Sequence, residues 1–410
     1  MVRVALLTGE YPPMRGGVAD FTEQIARTLV TIGAAPVVIT SAKANLDPAS
    51  VGMSSNPNQV EVFPEIRRWR LATLPMLAAT IEATGADVLN IQYQTGAFEL
   101  NPVVNLLPLY MRLRLPALKV LTTFHDLREP YILPKIGPLR QLAVWLLALT
   151  SHGVILTNHE DLSVMTKWRG GDDIRVRYGG PPAFPIPIGC NIPLGDMARF
   201  NRAAWRQRMG IGPADFLFGY FGYLNASKGI DDLIAAFGMM LAKGERPKLA
   251  MIGGSTSDSG RGERTYAREM RARLGDAPFR SNVVWSGYTA AHEVSANLFA
   301  IDACVLPFKA GASLRHGTLV AAIAHDLPVV TTLPPSSGEA SAAYPMLVDR
   351  ENVLMVPAGS PDRLSSAMSE VAGSPALRRR LSKGMGSIAE EFRWDRIGMK
   401  TLRAFQRVLG

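Results

Sequence analysis

The 410-residue sequence predicts an α/β protein in which two doubly wound, Rossmann-like domains face one another across a cleft. A chain of this length exceeds one ordinary hydrophobic core, which favours two domains. Short apolar runs alternate with longer segments of helical period, a pattern typical of parallel sheets with crossover helices. The runs are continuously apolar rather than alternating, as expected for strands that are buried on both faces.

The strand pattern starts twice along the chain. In the first half the apolar runs are Val2–Gly9, Pro36–Ser41, Ala86–Gln92, Leu118–Phe124 and Gly153–Asn158. In the second half they are Phe216–Leu224, Lys248–Gly253, Asn282–Gly287, Asp302–Phe308, Pro328–Thr332 and Val353–Pro357. The segment Pro181–Leu194 is rich in proline and poor in helix formers, so we interpret it as the interdomain linker. The predicted domains are residues 1–190 and 191–392.

Charge and cysteine content exclude several classes of protein. The net charge is +9, and the tail Ala376–Gly410 alone carries 9 basic and 3 acidic residues, which favours a solvated helical face. A nucleic-acid binder would show a basic stripe interleaved with aromatic residues, so no nucleic-acid partner is expected. Cys190 and Cys304 form neither a disulfide framework nor a metal-ligand pattern, which favours a reducing, cytoplasmic location. We expect no signal peptide and no spanning helix.

Ligands of doubly wound sheets bind beyond the carboxyl ends of the strands, so the residues after each run are candidate binding residues. Gly16 and Gly17 follow the opening run and precede an amphipathic helix with Phe21, Ile25 and Leu29 inward. Such glycines allow close backbone approach, and a helix N-terminus favours anionic or polar groups. The pattern GxGxxG is absent, so this is no dinucleotide fingerprint, and an ordinary glycine loop is the alternative.

Two further candidates are a histidine and a lysine at strand ends. His125, in TTFHDL, can donate to a sugar hydroxyl or to developing charge, or it can simply satisfy a loop. Lys228, in GYFGYLNASKGIDDLIAAF, stands where a helix opens, and an ammonium beside exposed N–H groups suits a phosphate. A surface lysine in a turn is the alternative.

The segment LPFKAGASLRHGTLVAAIAHDLPVVTT contains the strongest anion-binding pattern. A glycine-rich loop leads to Arg315 and then to a helix running to about His325. Gly317, Thr318 and Leu319 would offer N–H groups to a phosphate, with the Thr318 hydroxyl and the Arg315 guanidinium beside them. Two predicted phosphate positions on different strands of one domain indicate a diphosphate.

The order of the motifs YPP…GGV, FHD, GYL…KGID, VVWSGY, D-ACVLPF, LPVVTT and ENVLMVP resembles glycosyltransferase family 4, a large retaining GT-B family. The tail LRRRLSKGMGSIAEEFRWDRIG resembles its final helices, which implies a crossing helix at residues 393–410 that returns to the first domain. The resemblance implies a nucleotide-sugar donor on the second domain, an acceptor on the first, and no obligatory metal or separate cofactor. It also implies front-face substitution without an enzyme nucleophile.

Carried over residue by residue, Gly16 and Gly17 match the glycines of the family's first loop. His125 matches the histidine near the donor sugar, and Lys228 matches the phosphate lysine. We also place four residues at or just after the ends of predicted strands of the second domain on the donor side: Tyr223, Asn225, Gly254 and Tyr288.

The sequence departs from the family pattern at three positions. Tyr223 stands where arginine is common, and Ser313 and Ala321 replace a Glu-x7-Glu pair that faces the donor sugar and the ribose. We expect Arg315 to supply the positive charge that Tyr223 lacks. The alternatives are a nucleotide-sugar epimerase, a sugar phosphorylase, or a catalytically silent nucleotide-binding protein. The missing Glu pair favours the silent protein, whereas His125, Lys228 and Arg315 argue against it.

We expect a glycan, lipid-linked or small-molecule acceptor. Two basic clusters favour an anionic or lipid-linked acceptor that is reached by peripheral membrane contact. Residues Arg112–Arg140 carry 6 basic and 2 acidic residues before the apolar run AVWLLAL, and Arg67, Arg68, Trp69 and Arg70 form a second, basic-aromatic cluster. In the alternative interpretation, Trp145 and its neighbouring leucines form a core helix that the arginines merely flank.

Overall fold

The computed structural model describes residues 1–14, 16–44, 60–127, 137–168, 180–195, 200–254, 261–333 and 346–410, with the backbone alone at 137–140, 166–168 and 261. The chain forms two compact units, Met1–Gly189 with Arg393–Gly410, and Cys190–Phe392. The predicted boundary after residue 190 lies one residue away, and residues 393–410 belong to the first unit.

In the described part of the first unit, parallel strands form one sheet in the order β3-β2-β1-β4-β5-β6-β7. The strands are β1 (Arg3–Thr8), β2 (Ala35–Ser41), β3 (Glu61–Ile66), β4 (Val88–Tyr93), β5 (Lys119–Phe124), β6 (Gly153–Leu156) and β7 (Ala183–Pro185). The helices between them are α1 (Gly17–Thr31), α2 (Leu74–Thr84), α3 (Val103–Arg114), α4 (Gly137–Thr150) and α5 (His159–Trp168). Helix α1 buries Phe21, Ile25 and Leu29 as predicted.

Two of these strands escaped prediction, and both lie at edges of the sheet. Among the described residues, strand β3 pairs only with β2. Its sequence EVFPEI carries two glutamates and Pro64, which resembles a loop. Proline is tolerated there because an edge strand has one unpaired side. Strand β7 lies within Pro181–Leu194 and pairs with β6, so the interpretation of that whole segment as a linker is wrong. The units divide after Gly189, within the segment's second half.

The described part of the second unit repeats the design with the sheet order β10-β9-β8-β11-β12-β13, again all parallel. Its strands are β8 (Leu217–Phe221), β9 (Lys248–Ile252), β10 (Val283–Gly287), β11 (Ala303–Leu306), β12 (Val329–Leu333) and β13 (Leu354–Pro357). Its helices are α6 (Arg202–Arg208), α7 (Ile230–Ala242), α8 (Arg261–Gly275), α9 (Ala291–Ala300), α10 (Gly317–Ala324), α11 (Pro361–Gly373) and α12 (Pro375–Ala389).

The last helix, α13 (Trp394–Leu409), belongs to the first unit and packs on α1. The two helices approach closely because Gly398 has no side chain. A Cβ at that position would lie 2.4 Å from the Thr28 methyl carbon Cγ2. Ile397 and Phe405 are buried in the same core as the residues of α1. Local packing therefore accounts for the return of the chain to the first unit.

Each sheet reverses its winding at one point, and this position is where such sheets bind ligands. In the first unit the chain builds β1, β2 and β3 outward and then returns to place β4 beside β1. In the second unit it builds β8, β9 and β10 and then places β11 beside β8. We therefore expect binding sites first at the loops after β1, β4, β8 and β11.

The predicted basic-aromatic cluster at residues 67–70 does not form. Trp69 is 4% exposed and packs edge-to-face on Phe98, with 4.6 Å between ring centroids. Burial of its large ring in the core outweighs any surface role. Arg67, Arg68 and Arg70 remain exposed.

Among the described residues, no helix combines the length and the apolar character needed to cross a bilayer.

Candidate active site

The loops after β8 and β11 meet at a backbone contact that requires glycine. Gly229 has φ +69°, in the left-handed region, and a Cβ there would lie 1.9 Å from the carbonyl oxygen of Pro307. Close by, the Lys309 amide donates to the Ser227 carbonyl at 3.0 Å. The Ser227 hydroxyl donates to Asn225 Oδ1 at 2.7 Å, so Asn225 orders this loop. The contact holds the residues before α7 beside those before α10.

Lys228 and Arg315 come together across this contact, although they are 87 positions apart. Burial lowers the pKa of Lys228 to about 8, and the nearby positive charge of Arg315 contributes to the shift. The Lys228 ammonium lies over the Phe308 ring, 5.0 Å from its centroid. A desolvated amine beside a second cation is an arrangement that an anion stabilises.

The N-terminus of helix α10 completes this cationic region. His316, the N-cap residue, stacks on Phe308 with 4.0 Å between ring centroids. Burial and the charges of Lys228 and Arg315 lower its pKa to about 3, so the ring is neutral. The buried atoms His316 Nδ1 and Thr318 Oγ1 have no hydrogen-bond partner among the described residues. Buried polar atoms are rarely left unpaired, so these two indicate a ligand position.

The backbone amides at this helix end differ in availability. Within the described chain, the amides of Gly317 and Thr318 meet no backbone or side-chain acceptor. The Leu319 amide, which we expected to be open, donates to the His316 carbonyl at 2.9 Å. A tight first turn of the helix accounts for this difference. Two amides and the Thr318 hydroxyl therefore remain for an anion, and Leu319 serves the core, where it is fully buried.

Tyr223, Gly254 and Tyr288 form a second wall, at the ends of β8, β9 and β10. A Cβ at Gly254 would lie 3.4 Å from Tyr223 Cε1 and 3.6 Å from Tyr288 Cβ, so the glycine lies between the two tyrosines. Gly222 connects this wall to α10, because a Cβ there would lie 3.3 Å from Thr318 Cγ2. The predicted donor-side residues of the second unit thus line one edge of its sheet.

Ser313 and Ala321, which replace the expected glutamates, lie in the interior. Ser313 is 2% exposed, and its hydroxyl accepts from the Arg315 amide at 3.3 Å, so it shapes the loop that carries Arg315. Ala321 is fully buried. The two carboxylates that follow Lys228 in sequence, Asp231 and Asp232, each accept from Lys309 Nζ at 2.8 Å.

In the first unit, the N-terminus of α1 is occupied by the chain itself. Glu10 Oε1 accepts from the amides of Val18 and Ala19 at 3.2 and 3.3 Å. Gly16 makes room for this carboxylate, since a Cβ there would lie 2.1 Å from Oε1. At Gly17, no atom of the described residues lies within 4 Å of the corresponding position. Glu10 therefore occupies two N–H groups of this helix end, those of Val18 and Ala19. The binding role of Gly16 and Gly17 stays a prediction.

His125 lies at the end of β5, and a chain of buried amides fixes its tautomer. Gln92 Nε2 donates to Asn90 Oδ1 at 2.6 Å, which turns Gln92 Oε1 toward His125 Nε2 at 2.9 Å. Nε2 must therefore carry the proton and donate. Burial lowers the pKa of His125 to about 3, so the ring is neutral and Nδ1 keeps its lone pair. We expected a hydrogen-bond donor at His125, but the donor nitrogen is engaged and Nδ1 is an acceptor.

The amide chain consists of buried polar residues inside the central strands of the sheet. Asn90 and Gln92 on β4 are fully buried. Asn90 Nδ2 donates to the Thr123 hydroxyl on β5 at 2.9 Å, which secures the amide from its other side. The Phe21 ring of α1 meets the His125 ring edge-on, 4.7 Å away. The sequence did not predict these hydrogen bonds between Asn90, Gln92 and His125. An amide side chain is ordinarily assigned to a turn or to the surface, even when it lies in an apolar run.

Among the described residues, no three His, Cys, Asp or Glu side chains come together as they would around a metal ion. The candidate site of the second unit contains two cationic side chains, Lys228 and Arg315, and the N-terminus of α10, which carries a partial positive charge. These groups suit an anionic ligand with several oxygens, such as a diphosphate.

Comparison with known protein families matches residues 215–373 to the model described as "Glycosyl transferases group 1". This stretch covers β8 to α11 and includes Tyr223, Lys228 and Arg315. A comparison with curated protein sequences found no match.

Solved structures share the fold over nearly the whole chain. Sucrose-phosphate synthase from Thermosynechococcus elongatus is 18% identical, with 99% of each chain covered and a TM-score of 0.72. Anabaena HepE, solved with UDP, is 17% identical, with 99% of this chain and 100% of that chain covered and a TM-score of 0.71. WaaG, a glycosyltransferase involved in lipopolysaccharide biosynthesis, is 16% identical, with 98% of each chain covered and a TM-score of 0.62.

The structural neighbours and the two parallel, doubly wound sheets confirm the predicted GT-B architecture. The family match covers the strands and loops that bring Lys228 and Arg315 together. The chain therefore has the GT-B fold, and residues 215–373 of its second unit match the glycosyl transferases group 1 model.

Proposed function

We propose that the protein is a glycosyltransferase that takes its sugar from a nucleoside diphosphate sugar, whose diphosphate binds at Lys228, Arg315 and the N-terminus of α10. The observation that carries the proposal is the pairing of a desolvated lysine with unpaired buried polar atoms at a helix N-terminus. Each of these features alone is common in proteins. Their convergence beside the winding reversal of the second sheet is what favours a diphosphate.

Uridine diphosphate is the first nucleotide to test. Anabaena HepE was solved with UDP and with UDP-glucose, at 17% and 15% identity to this chain. The wall formed by Tyr223, Gly254 and Tyr288 offers aromatic surface at the strand ends next to the cationic region. We propose that this wall borders the nucleoside.

The reaction that fits these groups is a retaining transfer without a required metal. As the bond between sugar and diphosphate breaks, negative charge grows on the departing phosphate. Lys228, Arg315 and the amides of Gly317 and Thr318 would stabilise that charge where it develops. In a front-face substitution the departing phosphate oxygen would take the proton of the attacking hydroxyl, so no enzyme nucleophile is needed.

We propose that the first unit contributes to binding of the acceptor, which we infer to be a glycan or lipid-linked molecule handled on the cytoplasmic side. His125 Nδ1 is an acceptor with a fixed orientation, so it suits a hydroxyl group of a sugar.

A nucleotide-release assay tests the proposal. Purified protein is incubated with UDP-glucose and other nucleoside diphosphate sugars, with and without candidate glycan acceptors, in the presence and absence of a chelator. We expect acceptor-dependent release of nucleotide that survives the chelator. Lys228→Gln should lower the rate about a hundredfold or more, the usual scale for losing one electrostatic stabiliser. Lys243→Gln, an exposed lysine of the same unit, is the matched control.

Three results would contradict the proposal. Loss of activity in chelator with rescue by magnesium or manganese would refute the metal-independent mechanism. Release of nucleotide at the same rate with and without acceptor would indicate a hydrolase. Nucleotide binding with no turnover of any donor would indicate a silent binding protein.

A further inference from the structure

His316 lies within the candidate site of the second unit, but the proposed reaction does not use it. It is the N-cap residue of α10 and follows Arg315 directly. Its ring stacks on Phe308, with an interplanar angle of 28°, and Phe308 is itself buried. The Lys228 ammonium lies over the same Phe308 ring. One buried aromatic side chain thus holds the imidazole and the lysine at one place.

The Nδ1 atom of His316 is buried and meets no hydrogen-bond partner among the described residues. An N-cap side chain ordinarily accepts from an amide of the first helical turn, but the side chain of His316 makes no such bond. Within the same described part of the chain, the Thr318 amide, two residues further on, meets no acceptor either. A buried nitrogen and a nearby amide are therefore both left open, which favours a ligand that engages them together.

The surrounding charges decide how His316 can meet that ligand. Burial and the positive charges of Lys228 and Arg315 lower the pKa of His316 to about 3, so the ring is neutral near pH 7. A neutral imidazole has one N–H donor and one acceptor nitrogen. The oxygens of an ionised diphosphate only accept hydrogen bonds. Nδ1 must therefore carry the proton if it bonds to a diphosphate, and Nε2 then keeps the lone pair.

We propose that His316 is a phosphate-binding residue, which donates a hydrogen bond from Nδ1 to the diphosphate while its ring stays uncharged. This inference rests on the proposed function, because it takes a diphosphate as the ligand of the site. An imidazolium would place a third positive charge beside Lys228 and Arg315, whereas a neutral N–H adds a hydrogen bond without that repulsion. The hydrogen bond should strengthen as negative charge grows on the departing phosphate.

Two substitutions at His316 test which ring nitrogen matters. His316→Asn places an amide nitrogen near the position of Nδ1, and His316→Gln places one near the position of Nε2. The full chain is titrated calorimetrically with UDP, GDP, ADP and their nucleosides near neutral pH. For the diphosphate that the wild type binds best, His316→Gln should weaken binding about tenfold or more, the scale of a lost hydrogen bond to a charged group. His316→Asn should bind nearly as the wild type does, and the affinity for the nucleoside should not change.

The pH dependence separates a neutral donor from an imidazolium. A neutral N–H contributes equally at every pH, so the ratio of wild-type affinity to His316→Gln affinity should stay constant between about pH 7 and pH 9. The titration of Lys228 is common to both proteins and cancels in this ratio. A charged ring would have to take up a proton on binding, so the ratio would fall toward one as the pH rises.

His292, which is exposed on α9, provides the matched controls. His292→Asn and His292→Gln should bind the diphosphate as the wild type does, and circular dichroism should show every variant folded. A wild type that binds no diphosphate would overturn the proposed function and this inference with it. If the wild type binds, three results would overturn the inference alone: no loss of affinity in His316→Gln, equal losses in His316→Asn and His316→Gln, or a ratio that falls with pH. Weaker binding of UDP-glucose with unchanged binding of UDP would place His316 at the sugar, which would also overturn it.

Discussion

Lys228 is a half-buried amine held beside a second cation, and this environment lowers its pKa to about 8. Only the ammonium form attracts a phosphate, so affinity for a nucleoside diphosphate should fall as the pH rises above 8. The fall should approach tenfold per pH unit, because binding then requires uptake of one proton. Calorimetric titration of UDP between about pH 7 and pH 9.5 measures it.

The control for this prediction is Lys228→Arg, whose guanidinium stays charged throughout the range. Its affinity should be lower than that of the wild type at neutral pH but independent of pH. A wild-type profile as flat as that of the arginine variant would show that Lys228 does not bind the phosphate through its charge.

At His125 the prediction concerns a tautomer. Nitrogen-15 NMR of histidine-labelled protein should show Nε2 protonated and Nδ1 unprotonated from about pH 5 to pH 9, since burial keeps the pKa near 3. Gln92→Met removes the acceptor of Nε2, so the spectrum should change to a mixture of tautomers. His152, whose Nδ1 accepts from the Val120 amide, is an internal reference that should not change. A wild-type His125 protonated on Nδ1 would contradict this assignment.

The role of a residue could be predicted from the sequence where that role depends on its position at the end of a strand. Lys228 and Arg315 follow strand ends, and a parallel sheet brings such ends to one edge. Glu10 and Gln92 were not predicted, because their roles depend on which neighbour the fold brings near. Glu10 caps a helix eight residues on, and Gln92 meets a histidine 33 residues away. Neither spacing corresponds to a known local pattern.

At the scale of the element, the contact between the loops after β8 and β11 depends on Gly229. Gly229→Ala would combine a left-handed φ of +69° with a Cβ 1.9 Å from the Pro307 carbonyl oxygen. Gly244→Ala is a matched control, because Gly244 has φ +81° and nothing within 4 Å of the added Cβ. The control should lose about 1 kcal/mol of unfolding free energy from backbone strain.

Gly229→Ala should lose roughly 2–4 kcal/mol, since the backbone must move to relieve the overlap. Urea denaturation measures both variants. Gly229→Ala should also bind UDP more weakly, because the loop of Lys228 shifts relative to α10, whereas Gly244→Ala should bind normally. Equal losses of stability in the two variants would show that the loops after β8 and β11 are not held together at this point.

Elements with a strong apolar signal could be predicted, and those with a weak signal could not. The central strands are runs of buried residues, so their sequence alone indicates them. Strands β3 and β7 lie at edges, where pairing with one neighbour stabilises a sequence that contains proline or charge. The outward leucines of α3 were also missed, because an apolar helix is ordinarily assigned to a core and only the fold reveals which face is exposed.

At the scale of the whole molecule, the same alternation of apolar runs and helical segments occurs twice along the chain, and each occurrence folds into a parallel sheet with the same winding. The reversal of winding between β8 and β11 could not be placed from sequence, since strand order depends on long-range pairing. Once the order is known, Lys228 and Arg315 lie on the two loops that flank that reversal. The central claim is that this place in the second unit binds a nucleoside diphosphate.

Equilibrium binding of nucleotides tests that claim most directly. The intact protein is titrated calorimetrically with UDP, GDP, ADP and the corresponding nucleosides, as the wild type, as Lys228→Gln/Arg315→Gln and as the control Lys243→Gln/Arg379→Gln. The account predicts saturable binding of at least one diphosphate, and much weaker binding of its nucleoside. Loss of two charge-assisted contacts, at about 1.5–3 kcal/mol each, should weaken that diphosphate at least a hundredfold in the first variant alone. No binding of any diphosphate, or equal binding by the two double variants, would contradict the account.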